Sequence, residues 1–343
     1  MTTADITSAD ATHAPVPAAA LPPAPSGGGP GARLAAAWRT VRRSRRLSAG
    51  LALIALFLLT AAVGPFLATD PQGFGTDLSQ PPSGAHWLGT TQTGQDVFDQ
   101  LMVSTRTSLL IGFAAALAAT AISVVIGIGG GFLGGWSDEA LSLLSNVFLV
   151  IPGLPLVIVI SSYTKGGSLL ATIGVIAVTS WAASARVLRA QTLSLRTRDY
   201  VLAARLYGER RWRIVLVEIL PNEAAIIVSQ FIFAVIFAIL TQAGLAFLGL
   251  QNPSDLTWGN MLYFAQNADA LSGGAWWWFV PPGLCIAVFG AAMSLVSFGL
   301  DEVLDPRLRV YRPARRGRAG RQRTAPRRTA PQQQAARRQE ADR

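Results

Sequence analysis

Six long apolar stretches, free of Lys, Arg, Asp and Glu except for Arg186 at the end of the fourth, constrain the fold of this chain more than any other feature. They are Ser48–Leu67, Ser108–Leu133, Ala140–Ser162 (broken by Pro152 and Pro155), Ser168–Val187, Ala224–Leu248 and Phe279–Leu300. A helix needs about 20 apolar residues to cross the hydrocarbon core of a bilayer. The strands of a membrane β-barrel would be shorter and alternating, so the stretches predict an all-α membrane protein with six transmembrane helices. Only 14% of the residues are charged, against about 25% in an ordinary soluble domain. The 51% hydrophobic content excludes disorder of the whole chain. The single cysteine, Cys285, excludes a disulfide scaffold. Arg42, Arg43, Arg45 and Arg46 precede the first stretch as they would in a signal peptide. The apolar run exceeds the roughly 7–15 residues of a signal core, and a long polar segment stands before the arginines, so an uncleaved anchor is expected.

The net charge of +10 has a location. Of the 29 basic residues, all but Lys165 are Arg, and 27 lie in three segments: before the first span, between Arg186 and Arg213, and after Asp305. Segments 70–103 and 249–278 hold no Arg or Lys, but do hold Asp70, Asp77, Asp96, Asp99, Asp255 and Asp269. Loops rich in Lys and Arg stay in the cytoplasm. Six spans then put all three basic segments, and both termini, on the cytoplasmic side of the plasma membrane. Residues 1–32 are rich in Ala, Pro, Ser and Gly, and the tail from Val310 in Arg, Pro and Gln; neither can bury enough apolar surface to offset its ordering entropy. The expected organisation is a disordered cytoplasmic segment over 1–37, the first helix and an external segment over 38–103, a five-helix core with a cytoplasmic loop (189–222) over 104–304, and an Arg-rich disordered tail over 305–343.

Asp199 to Asn222 reads as two short helices hinged at Gly208. Asp199 can cap or charge-stabilise the first helix, and Gly208 suits the left-handed residue that commonly ends one. Trp212, Val215, Leu216 and Ile219 fall at i, i+3, i+4 and i+7, an apolar face. Ala203 and Ala204 leave room for another surface to approach the backbone. Spacing alone leaves two readings open, an amphipathic segment lying on anionic lipid and a segment that docks a protein.

The whole string, Ala-Ala-x-x-x-Gly, then twelve residues, then Pro221-Asn222, resembles the signature loop of binding-protein-dependent ABC importer permeases. Within that superfamily the chain resembles the C-type permease of the dipeptide/oligopeptide importers over roughly residues 38–309. His86-Trp-Leu-Gly-Thr90, Gly94-Gln-Asp96 and Arg106-Thr-Ser-Leu are similar to one shared segment. Gln242-Ala-Gly-Leu-Ala-Phe-Leu-Gly249 with Trp258-Gly-x-Met261, and Gly299–Arg309, are similar to two others. The resemblance implies the type I importer permease fold, with coupling helices that dock on an ATPase subunit through Asp199, Tyr200, Ala203, Ala204, Tyr207, Gly208, Glu209, Trp212 and Pro221. It implies a second permease subunit in a heterodimer, ATP-binding cassette subunits and an extracytoplasmic substrate-binding protein. The chain departs from the pattern with Leu202 for a usual Glu and Glu218 for a frequent His. Thr91, Gln95, Asn146 and Gln242 replace commonly charged residues. This neutral trend keeps an oligosaccharide importer beside a peptide importer.

Gly127, Gly131 and Gly135 recur every four residues, a spacing that lets helix backbones meet, inside one subunit or between two. Gln230 and Thr241 lie eleven residues apart and hence nearly on one helix face. With Ser229 and Gln242 they are candidates for the translocation path, since polar side chains in a bilayer face the protein interior or water. An interhelical hydrogen bond explains them equally well. Trp276 and Trp277, with Trp258, are candidates for the outer mouth; Trp276–Trp278 can equally be interfacial anchors. Cys285 reads as a small packing residue. With only His13 and His86, no His/Cys metal cluster is expected. The absence of G-x-x-x-x-G-K-[ST] means that the chain should bind no ATP itself, and no nucleophile–base set suggests an enzyme. An ion-coupled secondary transporter would call for ionisable residues well inside the spans, and the one Lys, Arg, Asp or Glu within them, Arg186, stands next to the last residue of the fourth. The Arg-rich tail lacks a nucleic-acid-binding motif, so the bilayer rather than nucleic acid is its expected partner.

Overall fold

The computed structural model describes residues 44–163 and 168–304, the last four as backbone only. Lys165, His13 and both terminal segments read as disordered lie outside the described residues. The elements are helices: α1 (Arg45–Leu67), α2 (Val97–Leu133), α3 (Gly135–Val150), α4 (Gly153–Tyr163), α5 (Leu169–Leu195), α6 (Asp199–Leu206), α7 (Arg211–Ile214), a π turn (Val215–Ile219), α8 (Leu220–Phe247), α9 (Trp258–Asn267) and α10 (Trp276–Leu304). Among the described residues, extended pairing is limited to one bridge between Thr90 and Asp96. Five helices among the described residues are long and apolar enough to cross a membrane, and there are six spans if the bent pair α3–α4 counts as one. The chain is a multi-pass membrane protein.

Three spans differ from the sequence reading. The second begins at Val97 rather than Ser108, because Asp96 caps it: its side chain accepts from the Phe98 and Asp99 N–H groups. The division drawn between 103 and 104 therefore falls inside a helix. The third is two helices bent by 90°. The chain turns extended at Ile151, as a residue before proline prefers, and Pro155 is harmless in the first turn of α4. The fifth starts at Arg211, and helix runs unbroken to Phe247. Pro221 has no N–H and would clash with the carbonyl four residues back. The π turn before it absorbs that, with Leu220 N–H donating to Val215 O. The second short helix of the cytoplasmic loop is thus the root of the fifth span.

Helix α2 is the central post. A Cβ added at Gly127 would stand 2.5 Å from Ala185 O of α5, and one at Gly131 would stand 3.1 Å from Arg189 O. These two glycines serve packing within the subunit. Gly135 lies beyond the helix end, with open space around it. Helix α1 meets α10 where a Gly50 Cβ would come within 2.8 Å of Ala292 O. Phe57, Phe113, Trp258 and Phe289 fill the space between α1, α2, α8, α9 and α10 with edge-on ring contacts. Cys285 packs half-buried against that cluster.

Candidate coupling and translocation sites

Helix α6 projects from the end of the bundle where α2 and α5 terminate. Asp199 is its first residue rather than its cap: Arg198 holds the cap position and makes no side-chain cap bond. Its carboxylate still complements the positive helix end. Gly208, at φ +78°, ends α6. Gly208 N–H donates to Arg205 O and Glu209 N–H to Ala204 O, a Schellman pair that satisfies the orphan carbonyls. Val201 is buried, and the Arg205 guanidinium lies 4.9 Å from the Phe132 ring centroid of α2. Anchored there, α6 presents its tip outward: Leu206 is 88% and Tyr207 89% exposed. Tyr200, Ala203, Ala204, Tyr207 and Glu209 share a cleft of about 380 Å³ with the root of the fifth span.

The apolar face expected on that root is split: Ile219 is buried and Val215 packs beside it, while the other two members face outward. Trp212 and Leu216 are exposed, whereas Ile214 and Ile219 are buried in one cluster. Five residues apart, they would diverge by about 140° on an α-helix; the wider π turn brings them onto one side. Glu209 pairs with Arg213 four residues on.

The arginines nearby hold helices together. Arg189 grips Asp138 of α3 with two bonds, Nε to Oδ1 at 2.5 Å and a terminal nitrogen to Oδ2 at 2.9 Å. Arg186 donates to Asn146, and Arg196 to Gly131 O at 3.1 Å. Glu223 was not singled out from the sequence, although it stands two residues after Pro221. It is fully buried, and Thr192 Oγ1 donates to its Oε1 at 2.6 Å. This bond ties α5 to α8 where both leave the loop.

The path candidates are not gathered on one open face. Ser229 and Gln230 are partly exposed, and Ser229 bonds its own helix at Ala225 O. Thr241 and Gln242 are buried, and Gln242 Nε2 donates to Gln251 Oε1 at 2.9 Å. Trp258 is not at a mouth. It is fully buried, with its N–H donating to Ser108 Oγ and its Nε1 to Thr105 Oγ1. Trp277 Nε1 donates to Thr90 O at 3.3 Å, and Trp276 is exposed beside it. Both stand at the far end, opposite α6.

At that end His86 Nδ1 lies 2.7 Å from Asp96 Oδ2, and Nε2 lies 3.6 Å from Asp77 Oδ2. The hydrogen bond to Asp96, then the charges of Asp96 and Asp77, raise the imidazole above its ordinary value. A raised histidine contributes stability that is complete below its unfolded pKa of about 6.5 and is lost as pH rises through the folded value. Protection factors for hydrogen exchange in segment 70–96, corrected for the intrinsic rate at each pH, should therefore be higher at pH 5.5 than at pH 8.5. In His86→Asn that difference should shrink. A difference of equal size in the variant would exclude His86 as its source.

Comparison with known proteins bears on both ends. Residues 123–310 match the family described as binding-protein-dependent transport system inner membrane component. Residues 33–82 match the N-terminal transmembrane domain of oligopeptide transport permease C. The chain is 33% identical over 279 residues to the dipeptide transport system permease protein DppC of Bacillus subtilis, covering 80% of this chain and 85% of that protein. It is 35% identical over 272 residues to the oligopeptide transport system permease protein OppC of the same organism, covering 78% and 88%. The OppC protein of Mycobacterium tuberculosis is 33% identical over 279 residues, covering 80% and 94%.

Proposed function

The chain belongs to the family of binding-protein-dependent inner-membrane transport components as a permease subunit of an ABC importer, and on that footing we propose that peptides are its solute. The chain does no catalysis in this reading. ATP is bound and hydrolysed by partner cassette subunits, and an external binding protein delivers the solute to a path shared with a second permease. The basic segments and both termini face the cytoplasm, as the Lys/Arg bias requires. The observation that carries the coupling role is the exposed tip of α6. Leu206 and Tyr207 project from a helix that is anchored on α2, closed by Gly208 and joined to the fifth span. Tyr200, Ala203, Ala204, Glu209 and Trp212 frame the docking surface, with Asp199 at its start. Pro221 acts by setting the π turn rather than by contact. ATP and the loaded binding protein would drive transport through their different affinities for inward- and outward-facing states.

The interior of the subunit weakens the oligosaccharide alternative. Thr91 and Gln242, two of the neutral replacements, are fully buried and hydrogen-bonded within this chain. Their neutrality answers to packing and carries no information about solute charge. Proteoliposomes holding the complete transporter, its binding protein and ATP should take up labelled tripeptides at least 10 times faster than labelled trisaccharides. The reverse preference would overturn the peptide reading.

A further inference from the structure

At the end of the bundle opposite α6, a cavity of about 520 Å³ lies between segment 72–100, the Pro253–Thr257 turn and α9. A space of this size accepts a small ligand or a few residues of chain. Its side-chain amides, apart from that of Gln92, turn their nitrogens to the protein. Gln72 Nε2 donates to Ser254 O and Gln100 Nε2 to Gln95 Oε1. Asn260 Nδ2 donates to the Asn252 and Asp255 carbonyls, and Asn267 Nδ2 to Tyr263 O. The side-chain oxygens of these four residues accept from no donor among the described residues. Gln100 and Asn260 are more than nine-tenths buried. Asp255, half-buried on the same wall, has no ion-pair or hydrogen-bond partner there for its carboxylate. The lining contains no Lys or Arg, and Phe264 and Trp278 add aromatic surface.

This wall offers mostly acceptors, a negative charge and aromatic rings, with the buried Trp278 Nε1–H as one donor without a partner among the described residues, so it suits a ligand that brings positive charge, several donors and a carbonyl acceptor, as a peptide amino end does. An ammonium group has three N–H donors and no acceptor, bonds strongly to a carboxylate and is attracted to aromatic faces. A carboxylate ligand would meet Asp255 as a like charge, with no cation to offset it. We propose that this cavity is a solute subsite for the free amino terminus of a peptide, with Asp255 as the counter-ion. The proposal rests on the peptide-importer reading and adds to it where, and by which end, the solute is held on the permease. Burial raises the Asp255 carboxyl above the usual carboxylate range; a bound ammonium group would draw it back down.

The test uses the complete transporter in nanodiscs without its binding protein, so that nothing else selects the ligand. Trialanine and N-acetyl-trialanine are titrated as probes by saturation-transfer NMR, with basal ATPase activity as the control for folding. Trialanine should bind, and acetylation should weaken it about 10-fold or more, the effect of losing a charge-assisted hydrogen bond. Asp255→Asn should weaken trialanine to the same degree, and Asp255→Glu should restore most of the loss. Equal binding of the two probes, unchanged trialanine affinity in Asp255→Asn, or no trialanine binding to the wild type would each overturn the subsite. Energised uptake with the binding protein present separates the two ideas. Loss of the subsite with peptide uptake intact leaves the importer reading standing. Absence of peptide uptake removes that reading, whatever the probes show.

Discussion

Replacing Gly208 by Trp is expected to leave membrane insertion normal and to uncouple transport from ATP hydrolysis. Gly208 sits at φ +78°, and no heavy atom lies within 4 Å of the position its Cβ would take. A side chain there meets no obstacle in the subunit and projects from the surface that Leu206 and Tyr207 already expose. The backbone strain of a non-glycine residue in this conformation costs about 1–2 kcal/mol, too little to unfold the chain. The damage should come from bulk on the docking surface. Solute uptake by the complete transporter should fall more than 10-fold while ATPase activity persists. Gly208→Ala carries the strain without the bulk and should keep most of the uptake. Unchanged uptake and unchanged ATPase association in the Trp variant would sink the assignment of this loop to coupling.

Gly127→Val should produce the largest loss of stability. A Cβ at 127 would stand 2.5 Å from Ala185 O and 3.1 Å from Leu188 Cβ. The nearest atom is backbone, so no rotamer change relieves the contact, and α2 and α5 must move apart. Overpacking of this kind costs about 1–3 kcal/mol. For a chain of this length the upper half of that range corresponds to a fall of about 3–4 °C in the thermal midpoint. Gly129→Ala, two residues away with nothing within 4 Å of its Cβ position, is the control. It should be neutral or slightly stabilising, because alanine is the better helix former. Equal midpoints for the two variants would show that the helices do not meet closely at Gly127.

Much of the fold was legible because hydropathy reports burial in lipid directly. It was least legible where other forces set the structure. The first three turns of α2 contain Asp99, Gln100, Ser104 and Arg106, which dilute the apolar signal, yet the Asp96 cap starts the helix there. The π turn has no signature in period-3.6 reasoning, so the face of 212–219 was read without Ile214, which the turn brings beside Ile219 in the buried cluster. Trp258 was read as a candidate for the outer mouth, but its two N–H groups find Ser108 and Thr105, 150 and 153 residues away. Such long-range partners are invisible to local pattern. Gly208, by contrast, was legible, because a left-handed helix end is written in the residue itself. Glu223 was passed over because it stood one residue outside the apolar run. Its burial is a property of how α5 and α8 meet.

The unbroken helix from Arg211 to Phe247 has a mechanical consequence. Its 37 residues span about 55 Å at 1.5 Å per residue. Within it the π turn alters the winding around Pro221, and the helix continues through it. The joints lie outside: Gly208 three residues before it and Gly249, at φ +71°, two residues after it. The segment is therefore a push rod pinned at both ends. If the α6 tip is displaced by a docked partner, a rigid segment of this kind would carry the movement past the membrane surface to Gly249, where the chain enters the turn that carries Asp255. The two ends of the subunit are geared to each other by one piece of backbone.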